Sequence, residues 1–556
     1  MELRVLVVMV LVAGSALLPG GPGWAAGLGS LDATAGTGGA VSTANIDIRS
    51  ATARADPKPT RPNIVILMSD DQRWDMLTPS FTPNIYSRLV EGNPYAFTNA
   101  FVSNPLCCPS RASTLTGNYS HTTGVWNNSP PYGGFNSFHD RNTIAVDFDQ
   151  AGYRTAMIGK YLNGYRSGTQ TYVPPGWDEW FAITTGDYYG YAVTTNGQPR
   201  HFGSEPDDYS TRVLEAQAER FVESSVADQE PFFLYLSFTA PHVPAIPDPR
   251  DVNRFADVTP ADIGTPQVMK GMLESAYGVD RAVGELLGIL PASTVVIYMS
   301  DNGSMWGEHG ETGKAGTYNE AIRVPIILKS LDGSYSPPVG ASDLVLNVDL
   351  RPTLTRAAGI APLTPTEGID WGQDAYAPRA VFPLERTHDR EDGVPTYCGA
   401  READWMYTRF VDGTELLFHD AVDQFEQTNL DPAAYPDDYA RLKQEAQDLC
   451  NPAPPGYSWI DGSSATALSI NAPSSVHRGS RATITGALSS ADPACVNAQQ
   501  VTLVKVNTTI GPKLTAATGA YKFETRISKQ PVVQVTYAGT DSCAPSESAK
   551  KTIRVT

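Results

Sequence analysis

The sequence predicts an α/β domain with a mixed, mostly parallel central sheet flanked by helices. A small α+β subdomain and an appended all-β sandwich of immunoglobulin type are predicted to follow it. Three observations lead to this order. Continuous apolar runs ending in acidic residues recur in the first part of the chain, a hairpin pattern and a helical pattern follow, and short Thr- and Val-rich segments fill the end. At 556 residues the chain is too long for a single hydrophobic core.

Two buried strands define the predicted sheet. The runs PNIVILMSDDQ (Pro62–Gln72) and STVVIYMSDNG (Ser293–Gly303) are apolar until they end in Met-Ser-Asp. Uninterrupted apolar runs are typical of strands that are covered on both faces. The segments EPFFLYLSFTAPHVP and RVPIILKS predict two more buried strands. Because ligands bind beyond the carboxyl ends of the strands in an open α/β sheet, the residues after these strands are expected to converge.

The pattern changes after about residue 380. The segment DWMYTRFVDGTELLFHD alternates in polarity on either side of Asp412-Gly413, which predicts a hairpin, and YPDDYARLKQEAQDLC predicts an amphipathic helix. We therefore expect a large domain at residues 60–380, a subdomain at 381–460 and the β-sandwich at 465–556. The last domain has no clustered acids, histidines or Gly-rich loop, so chemistry is not expected there.

The N-terminus has the pattern of a secretory signal peptide. Arg4 precedes an apolar run from Val5 to Leu18, and small residues follow, which predicts a signal peptide over residues 1–26. The run is too short to span a bilayer. Residues 27–59 are rich in Gly, Ala, Ser and Thr without an apolar period, which predicts a disordered leader. The mature protein is therefore expected outside the cell.

The net charge of −19 argues against nucleic acid and anionic membranes as partners. An anionic substrate would need a local group of Arg and Lys side chains. Six cysteines in an exported chain suggest disulfides. We expect Cys398 to pair with Cys450 and Cys495 with Cys543, because each pair brackets one compact region.

Two adjacent cysteines are left over in the segment PLCCPSRASTLTG. A bond between Cys107 and Cys108 would be strained. Pro109 suits the first turn of a helix, which predicts a helix N-terminus just after Cys107. The free N–H groups of a helix N-terminus and the guanidinium of Arg111 favour an anion, and a thiol there is expected to be acidified.

The acids after the two strands form an all-oxygen set, which suits a hard divalent cation such as Ca²⁺ or Mg²⁺. These residues are Asp70, Asp71, Asp301 and Asn302. Each pair alone fits a polar turn better than a metal site. Two matching copies on parallel strands favour the metal.

The segment CCPSR followed by ASTLTG resembles the signature of the sulfatase family, in which Cys-x-Pro-Ser-Arg precedes Leu-Thr-Gly. GYRTAMIGKYLNGY is similar to the second signature of that family, and APHVP, SDNG and GKAGTYNEAIRVPII are similar to three further blocks in the same order. The resemblance covers the chain from about Arg61 to Leu449. It implies a formylglycine-dependent sulfuric ester hydrolase with the fold of the alkaline phosphatase superfamily.

The resemblance also implies roles for individual residues. Cys107 would be converted to formylglycine by the formylglycine-generating enzyme, with Cys108 as a small packed side chain. The metal, usually Ca²⁺ and otherwise Mg²⁺, would be held by Asp70, Asp71, Cys107, Asp301 and Asn302. The other catalytic positions that the resemblance implies, for holding the aldehyde hydrate or the sulfate and protonating the leaving oxygen, are Arg111, Lys160, His242 and Lys314.

One position departs from the common family pattern. Leu162 stands where many sulfatases have a histidine that touches the aldehyde hydrate, so Asp301 or Asn163 would have to act as the base. The pair CCPSR and GKYLN resembles the N-acetylglucosamine-6-sulfatase branch, which implies a sulfated sugar or polysaccharide as substrate. We expect aromatic side chains of GDYYGYAV and WNNSPPYGGF to stack on the sugar at the rim of the site.

Two other functions are compatible with the fold. Some relatives with formylglycine cleave phosphorus esters, so a phosphodiesterase or phosphonate monoester hydrolase is the first alternative. Activity on paired sulfate and phosphate esters would separate the two. The second alternative is a non-catalytic carbohydrate-binding protein, which the loss of Cys107, Arg111 or the metal acids would have favoured.

Overall fold

The computed structural model describes residues 61–165, 171–314, 316–389, 393–459, 466–490, 495–505, 508–527, 531–537, 543, 546–548 and 551–556. The signal peptide predicted at residues 1–26 and the leader predicted at 27–59 lie outside the described residues. No helix in the described ranges is both long enough and apolar enough to cross a bilayer.

Sixteen strands precede the C-terminal all-β part within the described residues. They are β1 (Asn63–Asp70), β2 (Asn99–Phe101), β3 (Arg154–Gly159), β4 (Glu179–Thr185), β5 (Ala192–Thr195), β6 (Gln198–His201), β7 (Phe232–Pro241), β8 (Thr294–Ser300), β9 (Met305–Trp306), β10 (Thr312–Gly313), β11 (Ile326–Ser330), β12 (Leu344–Leu346), β13 (Phe382–Arg386), β14 (Tyr397–Arg401), β15 (Trp405–Phe410) and β16 (Glu415–His419).

The α-helices of the same part include two long ones that cover the sheet. In chain order they are α1 (Pro83–Ile85), α2 (Cys107–Thr116), α3 (Ser120–Thr123), α4 (Ile144–Gln150), α5 (Ser210–Asp228), α6 (Pro260–Ile263), α7 (Lys270–Ile289), α8 (Asn319–Ile322), α9 (Leu350–Ala357) and α10 (Pro436–Leu449).

The main sheet has eight strands in the order β11-β8-β1-β7-β3-β4-β5-β6. The five strands from β8 to β4 are parallel, and β11, β5 and β6 pair antiparallel to their neighbours. The predicted mixed, mostly parallel sheet is therefore confirmed. The segment RVPIILKS forms the antiparallel edge strand β11.

Both faces of β1 are buried, which explains its uninterrupted apolar run. Ile64 and Ile66 pack in one hydrophobic cluster together with residues of α2, α4 and α9. Val65 and Leu67 pack in another with residues of α5 and α7. Since side chains alternate between the faces of a strand, a strand between two helical layers needs an apolar residue at every position.

The subdomain after the main sheet is a four-stranded antiparallel sheet in the order β13-β14-β15-β16. The predicted hairpin forms between β15 and β16, and Gly413 in its turn has a φ of 91°, which suits glycine. The predicted helix is α10, which packs through Leu442 and Ala446 on the sheet. The disulfide Cys398–Cys450 is formed as predicted.

The C-terminal part is all-β in the residues described. Its strands are β17 (Thr466–Leu468), β18 (Ser475–Val476), β19 (Arg481–Ser490), β20 (Gln500–Lys505), β21 (Thr508–Leu514), β22 (Ala520–Arg526), β23 (Val532–Tyr537), β24 (Ser546–Glu547), β25 (Lys551–Thr552) and β26 (Arg554–Val555). One sheet has the order β17-β19-β22, and another has β21-β20-β23-β24 with β25 on β23. Cys495 and Cys543 form the second predicted disulfide, and both lie in the hydrophobic core of this part. Its assignment to the immunoglobulin type and the domain boundaries stay predictions.

Candidate active site

The acids after β1 and β8 meet because the two strands are in register. Ser69 lies opposite Ser300 in this parallel pair, so the chain leaves both strands at the same edge. Asp71 then adopts a left-handed backbone with a φ of 68°, and its N–H donates to Oδ1 of Asp301 over 3.1 Å. The structure thus brings together Asp70, Asp71, Asp301 and Asn302, all of them buried.

The side chain of Asn302 has one oxygen without a partner. Its Nδ2 donates to Oδ1 of Asp71 over 2.6 Å and to the carbonyl oxygen of Gly303 over 2.8 Å. Its Oδ1 is buried, and no described residue donates to it. An acceptor oxygen beside carboxylates that lacks a donor is what a hard cation such as Ca²⁺ or Mg²⁺ would coordinate. The residues present therefore fit a divalent metal.

Four potential ligand atoms lie within 4.8 Å of one another among the described residues. They belong to Asp70, Asp71, Cys107 and His242. Asp301 is not in this group. Its Oδ2 accepts from Nε of Arg111 over 2.8 Å, and its Oδ1 accepts the N–H groups of Asp71 and Asn302. Both oxygens of the Asp301 carboxylate thus already accept hydrogen bonds.

Cys107 is the first residue of α2, so the helix begins one position earlier than the sequence predicted. Pro109 is the third residue of the helix. The buried Sγ of Cys107 lies 2.8 Å from Nζ of Lys314 and 3.5 Å from Nζ of Lys160. Oδ1 of Asp70 is 3.5 Å from the same sulfur. Two ammonium groups and the carboxylate of a predicted metal ligand therefore converge on position 107.

The expected acidification of the Cys107 thiol is wrong for the unmodified cysteine. Burial raises its pKa to about 12, although the charges of Lys160 and Lys314 lower it. The loss of solvation outweighs the lysines because the carboxylates of Asp70 and Asp301 also raise the pKa. The cysteine side chain itself is thus a poor nucleophile.

Cys108 does not share this environment. Its thiol is not bonded to Cys107, and the side chain is buried in the hydrophobic cluster between the sheet and α2. Its backbone N–H donates to Oδ1 of Asn128 over 2.9 Å, which satisfies one free donor of the helix N-terminus. Asn128 was not among the predicted site residues.

Arg111 lies one helical turn after Cys107 and is fully buried. Besides Asp301, its guanidinium donates to Oγ of Ser237 over 2.5 Å and to the carbonyl oxygen of Lys160 over 2.9 Å. Burial alone would lower its pKa, but Asp301 and Asp70 raise it well above the usual value. Ser237 was not among the predicted site residues, although a serine within the apolar run of β7 is a visible signal.

The two lysines neutralise the two neighbouring carboxylates. Lys160 follows β3 and contacts Oδ2 of Asp70, and Lys314 follows β10 and contacts Oδ1 of Asp71. Burial lowers the pKa of each lysine, but the adjacent carboxylate more than compensates and the pKa is raised. Although burial raises the pKa of Asp70, Lys160 and other cations hold it at about 2. Both lysines therefore stay cationic at neutral pH.

His242 follows β7 and is the most open of these residues, with 28% of its side chain exposed. Its Nε2 lies 3.7 Å from Oδ2 of Asp71, and the carbonyl oxygen of Val243 lies 2.5 Å from its Nδ1. Tyr188 donates its hydroxyl to the carbonyl oxygen of His242 over 2.5 Å. His242 thus lies between the buried acids and the solvent.

Leu162 is buried in a hydrophobic cluster, so this position supplies no polar group. The side-chain oxygen of Asn163 is buried and accepts no hydrogen bond from the described residues. Of the two alternatives to the usual histidine, Asn163 therefore has a free acceptor and Asp301 does not.

The expected aromatic rim is wrong for most of its rings, whereas Tyr132 and Tyr189 are only half-buried and stay predictions. Tyr188 and Tyr191 are buried in the cluster beneath α5, where their rings stack on Tyr209 and Phe202. Trp126 and Phe135 of the second segment are also buried. These rings have no face free for a sugar, because the hydrophobic core uses them.

Comparison with known proteins places these features in a family. The sulfatase family model matches residues 62–360. An extracellular sulfatase SULF-1 homolog of Drosophila melanogaster is 30% identical over 372 residues, covering 59% of this chain and 32% of the relative. An N-acetylglucosamine-6-sulfatase of Capra hircus is 31% identical over 343 residues, covering 54% of this chain and 60% of the relative. This chain thus spans only part of the length of these relatives.

A solved structure has a similar fold. It is a complex with the substrate D-glucosamine-2-N,6-O-disulfate, and it superposes with a TM-score of 0.60 at 22% identity. The match covers 70% of this chain and 98% of that one. At this identity the likeness concerns the fold alone.

Proposed function

Since this chain belongs to the sulfatase family, we propose that it hydrolyses sulfate monoesters of sugars, with Cys107 matured to formylglycine beside a divalent metal. The observation that supports this most is the convergence of Lys160, Lys314 and Asp70 on the side chain at position 107. Such a pocket offers fixed positive charge to a sulfate group in a protein whose net charge is −19. A preorganised charge of this kind stabilises the transition state more than the free substrate.

Residues for the metal are present. Asp70, Asp71 and Asn302 supply oxygen atoms, and the unpartnered Oδ1 of Asn302 supports their use as ligands. We propose Ca²⁺, with Mg²⁺ as the alternative, because the donors are hard oxygens. The modified side chain at position 107 would complete the set. Asp301 would contribute from the position in which Arg111 holds it.

Formylglycine and the metal would together supply an activated hydroxyl nucleophile and a Lewis acid for the sulfate oxygens. The chain's own residues do the rest. Lys160 and Lys314 bind the charged oxygens of the sulfate. Arg111 holds Asp301 and Asp70 in place through a buried guanidinium.

His242 is suited to protonate the leaving oxygen of the sugar. It lies at the open side of the cluster, and its Nε2 is 3.7 Å from Oδ2 of Asp71. The sugar would therefore approach from the side of His242, while the sulfate enters between the lysines. The opposite arrangement would bury the sugar ring among the charged groups.

The substrate is proposed to be a 6-sulfate of the N-acetylglucosamine type. The name of one relative, N-acetylglucosamine-6-sulfatase, supports this class, and the solved complex contains a related ligand, D-glucosamine-2-N,6-O-disulfate. A primary 6-sulfate extends from the ring, so it can enter a narrow charged pocket while the ring stays outside. We also propose that the protein is secreted, as the name of its extracellular relative and the apolar N-terminus suggest. Maturation would then require the formylglycine-generating enzyme as a partner.

The proposal is tested by a mass measurement of the peptide that contains Cys107, followed by assays on matched sulfate and phosphate esters. We expect the peptide to carry formylglycine and the sulfate ester to be cleaved faster. Faster cleavage of the phosphate ester would instead favour a phosphodiesterase or phosphonate monoester hydrolase.

A further inference from the structure

The carboxylate of Glu320 in α8 is fully buried, and no described residue donates a hydrogen bond to either of its oxygens. A buried carboxylate is stable only with a cation or donors beside it. Nε2 of His309 lies 3.7 Å from Oε2 of Glu320. This ring nitrogen is also buried, and it too has no hydrogen-bond partner in the described part of the chain. Two buried polar atoms that both need a partner thus face each other.

The position of His309 is determined by its surroundings. Its ring stacks on Tyr318 with centroids 3.7 Å apart and an angle of 4° between the planes. Its backbone is left-handed, with a φ of 57°, which is uncommon for a residue other than glycine. Such a conformation persists where the surrounding structure imposes it. The gap to Glu320 is too short for a bridging water, so the two side chains can only pair directly.

The pair encloses the segment that carries Lys314. His309 lies in the turn between β9 and β10, which pair antiparallel. Lys314 comes directly after β10, and Glu320 lies in α8 a few residues later. A contact between His309 and Glu320 therefore closes a loop around Lys314 and fixes its two ends relative to each other.

The other side of this loop is fixed to the metal-binding acids. The N–H of Gly303 donates to the carbonyl oxygen of Ala321 over 2.8 Å. A Cβ atom at Gly303 would lie 2.1 Å from the carbonyl oxygen of Glu320, so only glycine fits there. The backbone of α8 is thus packed directly against the turn that contains Asn302.

We propose that His309 and Glu320 form a buried imidazole–carboxylate pair that positions Lys314 relative to Asp71 and position 107. Neither residue contacts the site atoms, so both are positioning residues. The inference rests on the proposed function, because it assumes that Lys314 binds the sulfate. The contact between His309 and Glu320 does not depend on that function.

The kinetic test uses His309→Asn. Asparagine tolerates the left-handed backbone, but its side chain is too short to reach Glu320, so the variant removes the pair and keeps the turn. We expect kcat/KM to fall about tenfold, as for other groups that orient site residues. In a Lys314→Ala background the same change should cause no further fall, because its effect passes through Lys314. Equal falls in both backgrounds would overturn the proposal.

The matched control is His419→Asn. His419 also stacks on an aromatic ring, that of Trp405, with centroids 4.2 Å apart and an angle of 3°. It lies in β16, outside the loop around Lys314. We expect kcat/KM of this variant to equal that of the unchanged protein. A tenfold fall here as well would mean that losing any stacked histidine weakens the enzyme, which would overturn the assignment.

A second measurement is independent of activity. Hydrogen exchange of the peptides within residues 305–320 should become faster in both His309→Asn and Glu320→Gln and stay unchanged in His419→Asn. The double variant of His309 and Glu320 should exchange like either single variant. Unchanged exchange in both single variants would overturn the pairing. Faster exchange in a protein that releases no sulfate would support the pairing and contradict the proposed function instead.

Discussion

Nζ of Lys314 lies 2.8 Å from Sγ of Cys107 and also contacts the carboxylate of Asp71. One ammonium group therefore joins the proposed nucleophile position to the predicted metal ligands. Lys160, which follows β3, likewise contacts Cys107 and the carboxylate of Asp70. Each lysine thus pairs with one of the two adjacent acids and with the side chain at position 107.

The two neighbouring cysteines should respond differently to substitution. Cys107→Ala removes the side chain between the lysines and should lower kcat/KM by at least about a thousandfold. Cys108→Ala removes a packed thiol and should cost only about 1 kcal/mol of stability, with activity within about threefold. Sulfate release by both variants, with thermal unfolding as the control for folding, checks this. High activity of Cys107→Ala beside an inactive Cys108→Ala would reverse the assignment.

The acids should hold one divalent cation. Asp71→Asn removes a charge from the group of ligand atoms and should weaken metal binding at least tenfold, about 1.4 kcal/mol or more, with a parallel loss of rate. Titration calorimetry with Ca²⁺ on metal-stripped protein measures this. Asp412→Asn, in the turn between β15 and β16, is the surface control. Full activity of the metal-stripped protein would contradict the metal mechanism.

His121 should make stability depend on pH. Burial lowers its pKa, but hydrogen bonds to Glu367 and Glu385 raise it to about 10, above the ordinary 6.5. A group whose folded pKa is raised stabilises fully below its unfolded pKa and loses that contribution as pH rises through the folded pKa. His121→Gln should therefore cost about 2 kcal/mol at pH 6, and the difference should shrink between pH 6.5 and 10.

Chemical unfolding of the unchanged protein and of His121→Gln between pH 6 and 10 checks this prediction. A difference that grows from pH 7 to pH 10 would contradict the assigned direction of the shift.

Removal of residues 462–556 should leave turnover of small substrates unchanged. None of the predicted site residues lies in that part of the chain, and its core around Cys495 and Cys543 is its own. Equal kcat/KM for the truncated and full chains, measured on a small sulfate ester, would agree with this. A loss of activity in a truncated protein that is still folded would mean that the β-domain helps to shape the pocket.

The ends of the strands were predictable because they depend only on the residue types of a short segment. An apolar run that is long enough for a doubly covered strand and then stops at Ser-Asp predicts both β1 and β8, and parallel register brings Asp70 and Asp301 to one edge. The disulfides followed from the placement of cysteines in two compact regions. Both inferences depend on residue type and order alone.

Other features depended on how deeply each side chain is buried, which the residue types alone do not show. The thiol of Cys107 is not acidified because burial outweighs the lysines, and no pattern around CCPSR reports the extent of that burial. The tyrosines of GDYYGYAV could pack either on a sugar or in the hydrophobic core. In the structure they pack in or against the cluster beneath α5. His309 and Glu320 face each other because of the turn after β9. Their positions in the sequence alone did not predict this contact.

The central claim is tested most directly by sulfate release from N-acetylglucosamine 6-sulfate. The protein should be produced together with the formylglycine-generating enzyme, and Cys107→Ala should be prepared in the same way. We predict release of inorganic sulfate by the unchanged protein, slower release from 2-, 3- and 4-sulfated sugars, and none above background for Cys107→Ala. Equal release by the unchanged protein and by Cys107→Ala would contradict the account.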